Sequence, residues 1–416
     1  MPCAIVEEGI LLMRIFCVFG RYNYGDPSRG DGYEFTNFVP AFRELGHEVV
    51  LFDSWDRSSY RDFADLNRTF LRRVDQEQPD VIFCVLLSYE LWRESLDIIR
   101  SKGSAAIINW GTDDSWKYEQ FSRFVAPYVD CYATTYPKAF NKAHDQGLDN
   151  FVLTQWGASR NSLIEPLPAQ RCTYPVTFVG SAYGNRRKWI EALRDRGIQV
   201  KCFGHGWPAG PVSGKDLLRI YRESILTLNF GDSGIHFEGL VPYRSRQIKA
   251  RVFEVPGAGG CLLTEPAQYL EEYFRIGEEI VVFDGPDVLA ERIQYLLANP
   301  EKRDAVAHRG FERVSKDHTY DRRFEDLLGK LAHRVTQRPN RSMDWVAFEQ
   351  AASRHRMGPW LALLRTLCVS CTKLVWGKHR GPRAARRLAF ELSWRLRGAW
   401  TYSAAGWPGR MFYRES

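Results

Sequence analysis

No stretch of the 416 residues approaches ~20 uninterrupted apolar side chains, which excludes a conventional membrane-spanning helix. The first twelve residues carry Glu7 and Glu8 and no basic residue, unlike the charged start of a secretory leader. Met13 stands directly before the first strand-like run and offers an alternative start. No G-x-x-x-x-G-K-[ST] sequence occurs, which disfavours P-loop ATP chemistry. No Asp-x-Asp sequence is placed to hold a divalent ion. The nine cysteines are odd in number and scattered, and Cys368-x-x-Cys371 lacks a second pair to complete a zinc site. Most cysteines sit in apolar runs such as Ile15-Phe16-Cys17-Val18-Phe19, where a thiol behaves as a small hydrophobe. The expectation is a reducing, cytoplasmic setting.

With 44% hydrophobic and 26% charged residues, the composition is globular and excludes a disordered or fibrous chain. The length, two to three times a domain of ~150 residues, argues for more than one domain. The net charge of +7 is unevenly divided. From Leu331 to Ser416, 14 Arg and 2 Lys stand against 4 acidic residues, a surplus of 12 that leaves the rest with a deficit of 5. A mildly acidic body therefore carries a basic tail.

Along the chain, a strand over 14–19 breaks at Gly20 into the loop Gly20-Arg21-Tyr22-Asn23-Tyr24-Gly25-Asp26-Pro27-Ser28-Arg29-Gly30. A helix over 35–45 capped by Gly46, a strand over 47–53, a helix over 61–76, a strand over 80–86, a helix over 89–101 and a strand over 105–110 follow. Near-continuous apolar strands separated by helices imply a parallel sheet covered on both faces. The polar stretch 161–175 reads as a linker. Beyond it a second α/β unit starts with a strand over 175–180 and a helix over 186–196, includes a helix over 246–255, and ends in helices over 286–297 and 300–316. The expected architecture is α/β, with Rossmann-like domains over 13–165 and 170–330 facing a cleft, and a basic helical extension over 331–416.

Two constellations in the second unit carry chemistry. In Phe178-Val179-Gly180-Ser181-Ala182-Tyr183-Gly184-Asn185-Arg186-Arg187-Lys188, a strand ends in a glycine-bearing turn and three cations open a helix. Free helix-terminal amides and flanking guanidinium groups favour an anion; the plainer reading is a solvated basic turn. In the second, Gln247, Arg251 and Glu254 fall on one face of the expected helix, Lys249 lies between them, and Gly259-Gly260 end it, permitting close backbone approach. Guanidinium suits a diphosphate and a carboxylate suits the hydroxyls of a ribose; an Arg–Glu pair on a wet surface is the alternative.

Arg251-x-Phe253-Glu254, then Gly259-Gly260-Cys261-Leu262-Leu263-Thr264-Glu265, then Leu270-Glu271-Glu272-Tyr273-Phe274, Gly277-Glu278-Glu279-Ile280, Asn299-Pro300 and Asp317-His318-Thr319-Tyr320 resemble the donor-domain signature of GT-B glycosyltransferases. Within that fold the sequence is similar to the spore-maturation CgeB-type family. Asn23-Tyr24-Gly25-Asp26-Pro27-Ser28-Arg29-Gly30 and Asn109-Trp110-x-x-Asp113-Asp114 extend the resemblance, which covers roughly residues 13–330. It implies a nucleoside-diphosphate sugar as donor substrate, no further cofactor, and a cell-envelope or surface glycan, lipid or protein as acceptor. It also implies donor contacts at Arg186, Arg187, His205, Lys249, Arg251, Glu254, Gly259 and Gly260, and acceptor-loop contacts at Gly25, Asp26 and Arg29. Related retaining enzymes use two glutamates eight positions apart; Glu254 matches the second, but Arg246 stands where the first is expected. That departure leaves a non-catalytic sugar-binding protein as the reading in another class, and a nucleotide-sugar epimerase as a second enzyme reading.

Asp113-Asp114 is the paired-carboxylate candidate for acceptor activation, with a helix N-cap as its structural alternative. His205 follows a strand in the donor half and either lines the nucleotide pocket or merely turns the chain; His318 suggests packing or a hinge. No metal is expected, since arginine clamps and helix termini can stabilise a leaving diphosphate. In the tail, Arg is interleaved with Trp360, Trp376, Trp394, Trp400 and Trp407. Three readings stand: a packed helical extension, an anionic membrane contact through 341–416 on the inner face, or, least favoured, nucleic acid. Leu388, Phe390, Leu392, Trp394 and Leu396 alternate with period two, leaving helix or strand open there.

Overall fold

The computed structural model describes residues 12–238, 241–331 and 340–416. The chain forms two compact units: one runs to Thr134 and adds Ala139–Leu153 and Leu327 onward, the other comprises Thr135–Lys138 and Thr154–Asp326. The division thus falls at Leu153–Thr154 rather than within the expected linker, and the tail joins the N-terminal unit.

In that unit, β1 (Arg14–Val18), β2 (Glu48–Phe52), β3 (Val81–Cys84), β4 (Ala106–Gly111), β5 (Cys131–Thr134) and β6 (Phe151–Leu153) form one sheet in the order β2-β1-β3-β4-β5-β6. All its pairings are parallel. The residues of β1, β3, β4 and β5 are buried almost throughout, as a sheet covered on both faces requires. The strand order reverses between β1 and β3, and the glycine-rich loop begins where β1 ends.

The second unit contains β7 (Tyr174–Val179), β8 (Lys201–Phe203), β9 (Ser224–Asn229), β12 (Leu262–Thr264) and β13 (Val281–Val282), ordered β13-β12-β9-β7-β8 and again parallel. Its core joins Phe178, Trp189, Phe230 and Phe283. One element is unexpected: β10 (Asp232–Glu238) and β11 (Val241–Arg246) pair antiparallel, with Asp232 opposite Arg246. The helix expected over 246–255 consequently spans only Arg251–Gly257. Gln247 donates its backbone N–H to Gly231 O at the stem of the hairpin, so it does not share a helical face with Arg251 and Glu254.

The tail is helical and packed. Asp344 caps the helix Trp345–Arg354 by accepting from the Ala347 N–H, and the Phe348 ring stacks on Trp92 at 6.1 Å. The Tyr402 hydroxyl donates to Gln120 O, and Tyr413 meets Phe63 edge-on at 4.9 Å. The alternation over 388–396 lies within the helix Pro359–Arg397, which resolves the helix-or-strand question.

Candidate functional site

The carboxyl ends of β7, β9 and β12 carry the polar groups of the second unit, where an open parallel sheet places its ligands. β7 ends at Gly180, and after the turn the helix Arg186–Arg194 begins. Arg186 is almost wholly buried: Nη1 donates to Ser181 O at 2.8 Å, and the guanidinium lies 4.0 Å above the Tyr183 ring. Arg251, first residue of its helix, donates from Nε to Asn229 Oδ1 at the end of β9 (3.0 Å). Burial first, and then the neighbouring charge of Arg251, lower the Arg186 pKa to about 10, while Glu265 and Asp232 act in the opposite sense. Two guanidinium groups are thus held together at a partly desolvated turn, which concentrates positive charge there.

Beside this turn, a cavity of about 550 Å³ is lined by Asn185, Trp189, Asp232, Arg244, Arg246 and Glu265, among others. Glu265 follows β12 and is buried; Oε2 accepts the Gly231 N–H at 2.8 Å, and Oε1 lies 3.4 Å from Arg246 Nε. Burial raises its pKa, against the opposing pull of Arg246. Arg246 also reaches Asp284 at 3.0 Å, and Arg244 pairs with Asp232. Asn185, which lines the cavity, has its Oδ1 buried without a hydrogen-bond partner among the described residues. Asn185 lies within the first sequence constellation and Glu265 ends the string that begins at Gly259, yet neither stands out by residue type or spacing. Their roles depend on Gly231 and on the helix start, which no local spacing displays.

The other expected donor residues divide. Arg187 is exposed, stacks over Trp207 at 5.0 Å and donates to Gly206 O, so it holds the 204–207 loop rather than joining Arg186. The same loop is pinned by Trp207 Nε1 donating to Gly180 O (2.8 Å), and His205, exposed, accepts the Ala182 N–H through its backbone carbonyl. His205 therefore does stand beside the Gly180 turn. Glu254 is half-buried, one turn after Arg251, and Lys249 is half-buried just before the helix. Gly259 and Gly260 are corrected. The approach they permit is to the protein's own chain: a Cβ on Gly259 would lie 2.6 Å from Ile164 O, and one on Gly260 would lie 2.9 Å from Tyr221 O. Both are packing positions.

His318 packs among Phe253, Tyr273 and Phe274. Its Nδ1 lies 2.8 Å from Arg323 Nη2, which can only donate, so Nδ1 is unprotonated and Nε2–H donates to Tyr273 O at 2.8 Å. Burial, followed by the Arg323 charge, pushes its pKa down to about 4. The packing role expected of it is what these contacts describe.

In the N-terminal unit, Asp114 is buried beneath β4 and β5, where its carboxylate accepts from Ser122 Oγ (2.5 Å), Thr134 Oγ1 (2.6 Å) and Tyr132 OH (3.3 Å). Enclosed by three hydroxyls, it serves the fold and is corrected as an acceptor base. Asp113 is half-buried and occupies the N-cap position of the helix Asp114–Lys117, where its backbone carbonyl accepts the Lys117 N–H but its side chain makes no capping bond. Glu34, at the start of the helix Tyr33–Glu44, has its pKa raised by burial and, secondarily, by the charge of Asp113; sequence reasoning had not selected it. Asp26 accepts from the Ser28 hydroxyl (2.7 Å) and amide (3.0 Å) and pairs with Arg29 at 3.3 Å, which lowers its pKa and makes it a poor base. Gly25, at φ +68°, lies against Trp55, where a Cβ would meet the Trp55 carbonyl oxygen.

A family model described as Glycosyl transferase-like matches residues 186–329, a span that contains the arginine pair and Glu265. No curated protein matches. Among solved structures, HepE of Anabaena in complex with UDP-glucose is 12% identical, with a TM-score of 0.52, covering 77% of this chain and 100% of its own. The sucrose-phosphate synthase of Thermosynechococcus elongatus is 13% identical, TM-score 0.51, covering 77% and 99%. A glycosyltransferase from Rickettsia africae is 10% identical, TM-score 0.51, covering 79% and 100%. These likenesses show the fold: two Rossmann-like lobes of GT-B type.

Proposed function

We propose that the chain is a GT-B glycosyltransferase that moves a sugar from a nucleoside-diphosphate donor to a cell-envelope glycan, lipid or protein. The observation that carries this reading is the buried Arg186 brought beside Arg251 at the carboxyl end of β7 and β9. Cleaving a glycosyl–diphosphate bond puts negative charge on the departing phosphate. Two preorganised guanidinium groups and the N-terminus of the helix Arg186–Arg194 can stabilise that charge. In this reading Glu254 holds the ribose hydroxyls, the 204–207 loop with His205 borders the base, and the cavity beside Glu265 receives the sugar. Asp113, with Glu34 nearby, is the candidate acceptor-activating pair. HepE, whose solved complex contains UDP-glucose, has the same fold and supports a uridine-type donor as the first to test. The resemblance to the CgeB-type family supports a surface acceptor.

One observation favours the non-catalytic alternative: Arg246, where a sugar-contacting glutamate is expected, is engaged by Glu265 and Asp284. A panel of nucleoside-diphosphate sugars, scored for both binding and slow donor hydrolysis, separates the two. Transferase chemistry predicts hydrolysis of at least one donor, persisting in the presence of a chelator. Binding without any turnover, even with envelope extracts as acceptor, would favour the alternative.

A further inference from the structure

The helix Pro359–Arg397 is a hairpin. Gly377 has φ +78°, and Thr372 Oγ1 donates to Gly381 O at 2.8 Å, a separation of nine residues that a straight helix would spread over about 13 Å. A Cβ on Gly381 would lie 2.7 Å from Lys373 Cα, so the arms cross at a residue without a side chain. On the inner face, Leu361 and Val369 of the first arm meet Ala385 of the second together with Met411 and Phe412. That face anchors the hairpin.

The outward faces are apolar as well. Leu374 (89% exposed), Val375 and Trp376 form the tip immediately before the reversal. Trp360, Leu363 and Leu367 are exposed at i, i+3 and i+7 on the first arm, and Leu388, Leu392 and Leu396 are exposed at four-residue spacing on the second. Lys373, Lys378 and Arg380 stand around the tip and Arg383 and Arg387 follow along the second arm, all exposed and none paired with a carboxylate among the described residues. No acidic residue occurs from Gln350 to Phe390.

We infer that the tip of this hairpin inserts into an anionic lipid surface, Leu374, Val375 and Trp376 entering the headgroup–acyl boundary while the cations around them meet lipid phosphates. Apolar side chains at a cationic apex suit a surface that is negative outside and greasy beneath. An apolar protein groove would cover the leucines but leave the cations at the tip and along the second arm without counter-charge. A nucleic acid would meet the charges but strand the leucines. This inference is independent of the donor-site reading.

The test uses the full chain, because the tail also packs on the N-terminal unit. Co-sedimentation with vesicles of phosphatidylcholine plus phosphatidylglycerol is compared with phosphatidylcholine alone. Binding to the anionic vesicles only is expected. It should disappear in L374D/W376D and weaken about fivefold in each of K378Q and R380Q, with unchanged melting temperature. A polarity-sensitive dye on the exposed Cys371, one turn before the tip, should shift to the blue on anionic vesicles. The idea is overturned if anionic vesicles are ignored at low salt, or if L374D/W376D binds as the wild type does. It is equally overturned if those substitutions instead abolish self-association or oligonucleotide binding.

Discussion

Arg186 and Arg251 converge on a single glycine: a methyl group at Gly180 would lie 3.1 Å from Nη1 of Arg251 and 3.4 Å from Nη1 of Arg186. Two like charges are held at a half-buried turn whose neighbouring carboxylates, Glu265 and Asp232, only partly offset them. The free protein therefore has charge in excess that a diphosphate would relieve.

This relationship sets a pH dependence. The Arg186 pKa is lowered to about 10 in the free protein, and a bound diphosphate favours the protonated form. Nucleoside-diphosphate affinity should be insensitive to this group below about pH 10 and should fall as pH rises through it. In Arg251→Ala, which removes the like charge, the fall should move to higher pH. Calorimetric titrations on either side of that pH check both statements.

If Glu254 holds ribose hydroxyls, Glu254→Ala should weaken binding of a ribonucleoside diphosphate by about 1.5–3 kcal/mol, the range for hydrogen bonds to charged groups. The same substitution should leave a 2′,3′-dideoxyribonucleoside diphosphate, which lacks both hydroxyls, nearly unaffected. Equal losses for both nucleotides would remove Glu254 from the ribose.

His318 makes stability pH-dependent. Its folded pKa is lowered from 6.5 to about 4, so the unfolded chain binds the additional proton between those values. The stabilisation is fully present above about pH 6.5 and is lost as pH falls toward 4, with a slope of at most about 1.4 kcal/mol per pH unit. Protonation would place a hydrogen on Nδ1 facing the Arg323 guanidinium. Urea unfolding of His318→Gln across this range should show a shallower acid slope than the wild type.

The two aspartates after β4 should behave oppositely. Asp114→Asn sets an amide N–H₂ among the Ser122, Thr134 and Tyr132 hydroxyls and should cost about 1–3 kcal/mol of stability. Its turnover per folded molecule should be preserved. Asp113→Asn should leave the unfolding midpoint in place and lower transfer to acceptor more than donor hydrolysis. Thermal melts paired with rate measurements decide between them.

The parallel sheets were legible in the sequence because a strand buried on both faces is a continuous apolar run, as in Ile107-Ile108 and Val81-Ile82-Phe83. Arg251 stands out in the sequence through the string Arg251-x-Phe253-Glu254, but the expected helix over 246–255 puts it in mid-helix, whereas the structure makes it the first residue of its helix. The antiparallel pair β10 and β11 was not legible, because both strands are interspersed with polar and charged residues and neither is a continuous apolar run. That omission misplaced Gln247. Asp113 and Asp114 are adjacent in sequence yet lie in different surroundings, which the hydroxyls of Ser122, Tyr132 and Thr134 determine from a distance. Arg186 and Arg187 likewise separate, one turned back onto Ser181 O and the other toward Gly206 O.

The central claim is that Arg186 and Arg251 clamp the diphosphate of a nucleotide. Calorimetric titration of UDP, and then of the other nucleoside diphosphates, into wild type, Arg186→Ala and Arg251→Ala tests it most directly. The account predicts saturable binding of at least one nucleotide by the wild type, weakened at least about tenfold, or ~1.4 kcal/mol, in each variant at a temperature where both variants remain folded. Undiminished affinity in both folded variants, or no binding of any nucleoside diphosphate by the wild type, would contradict it.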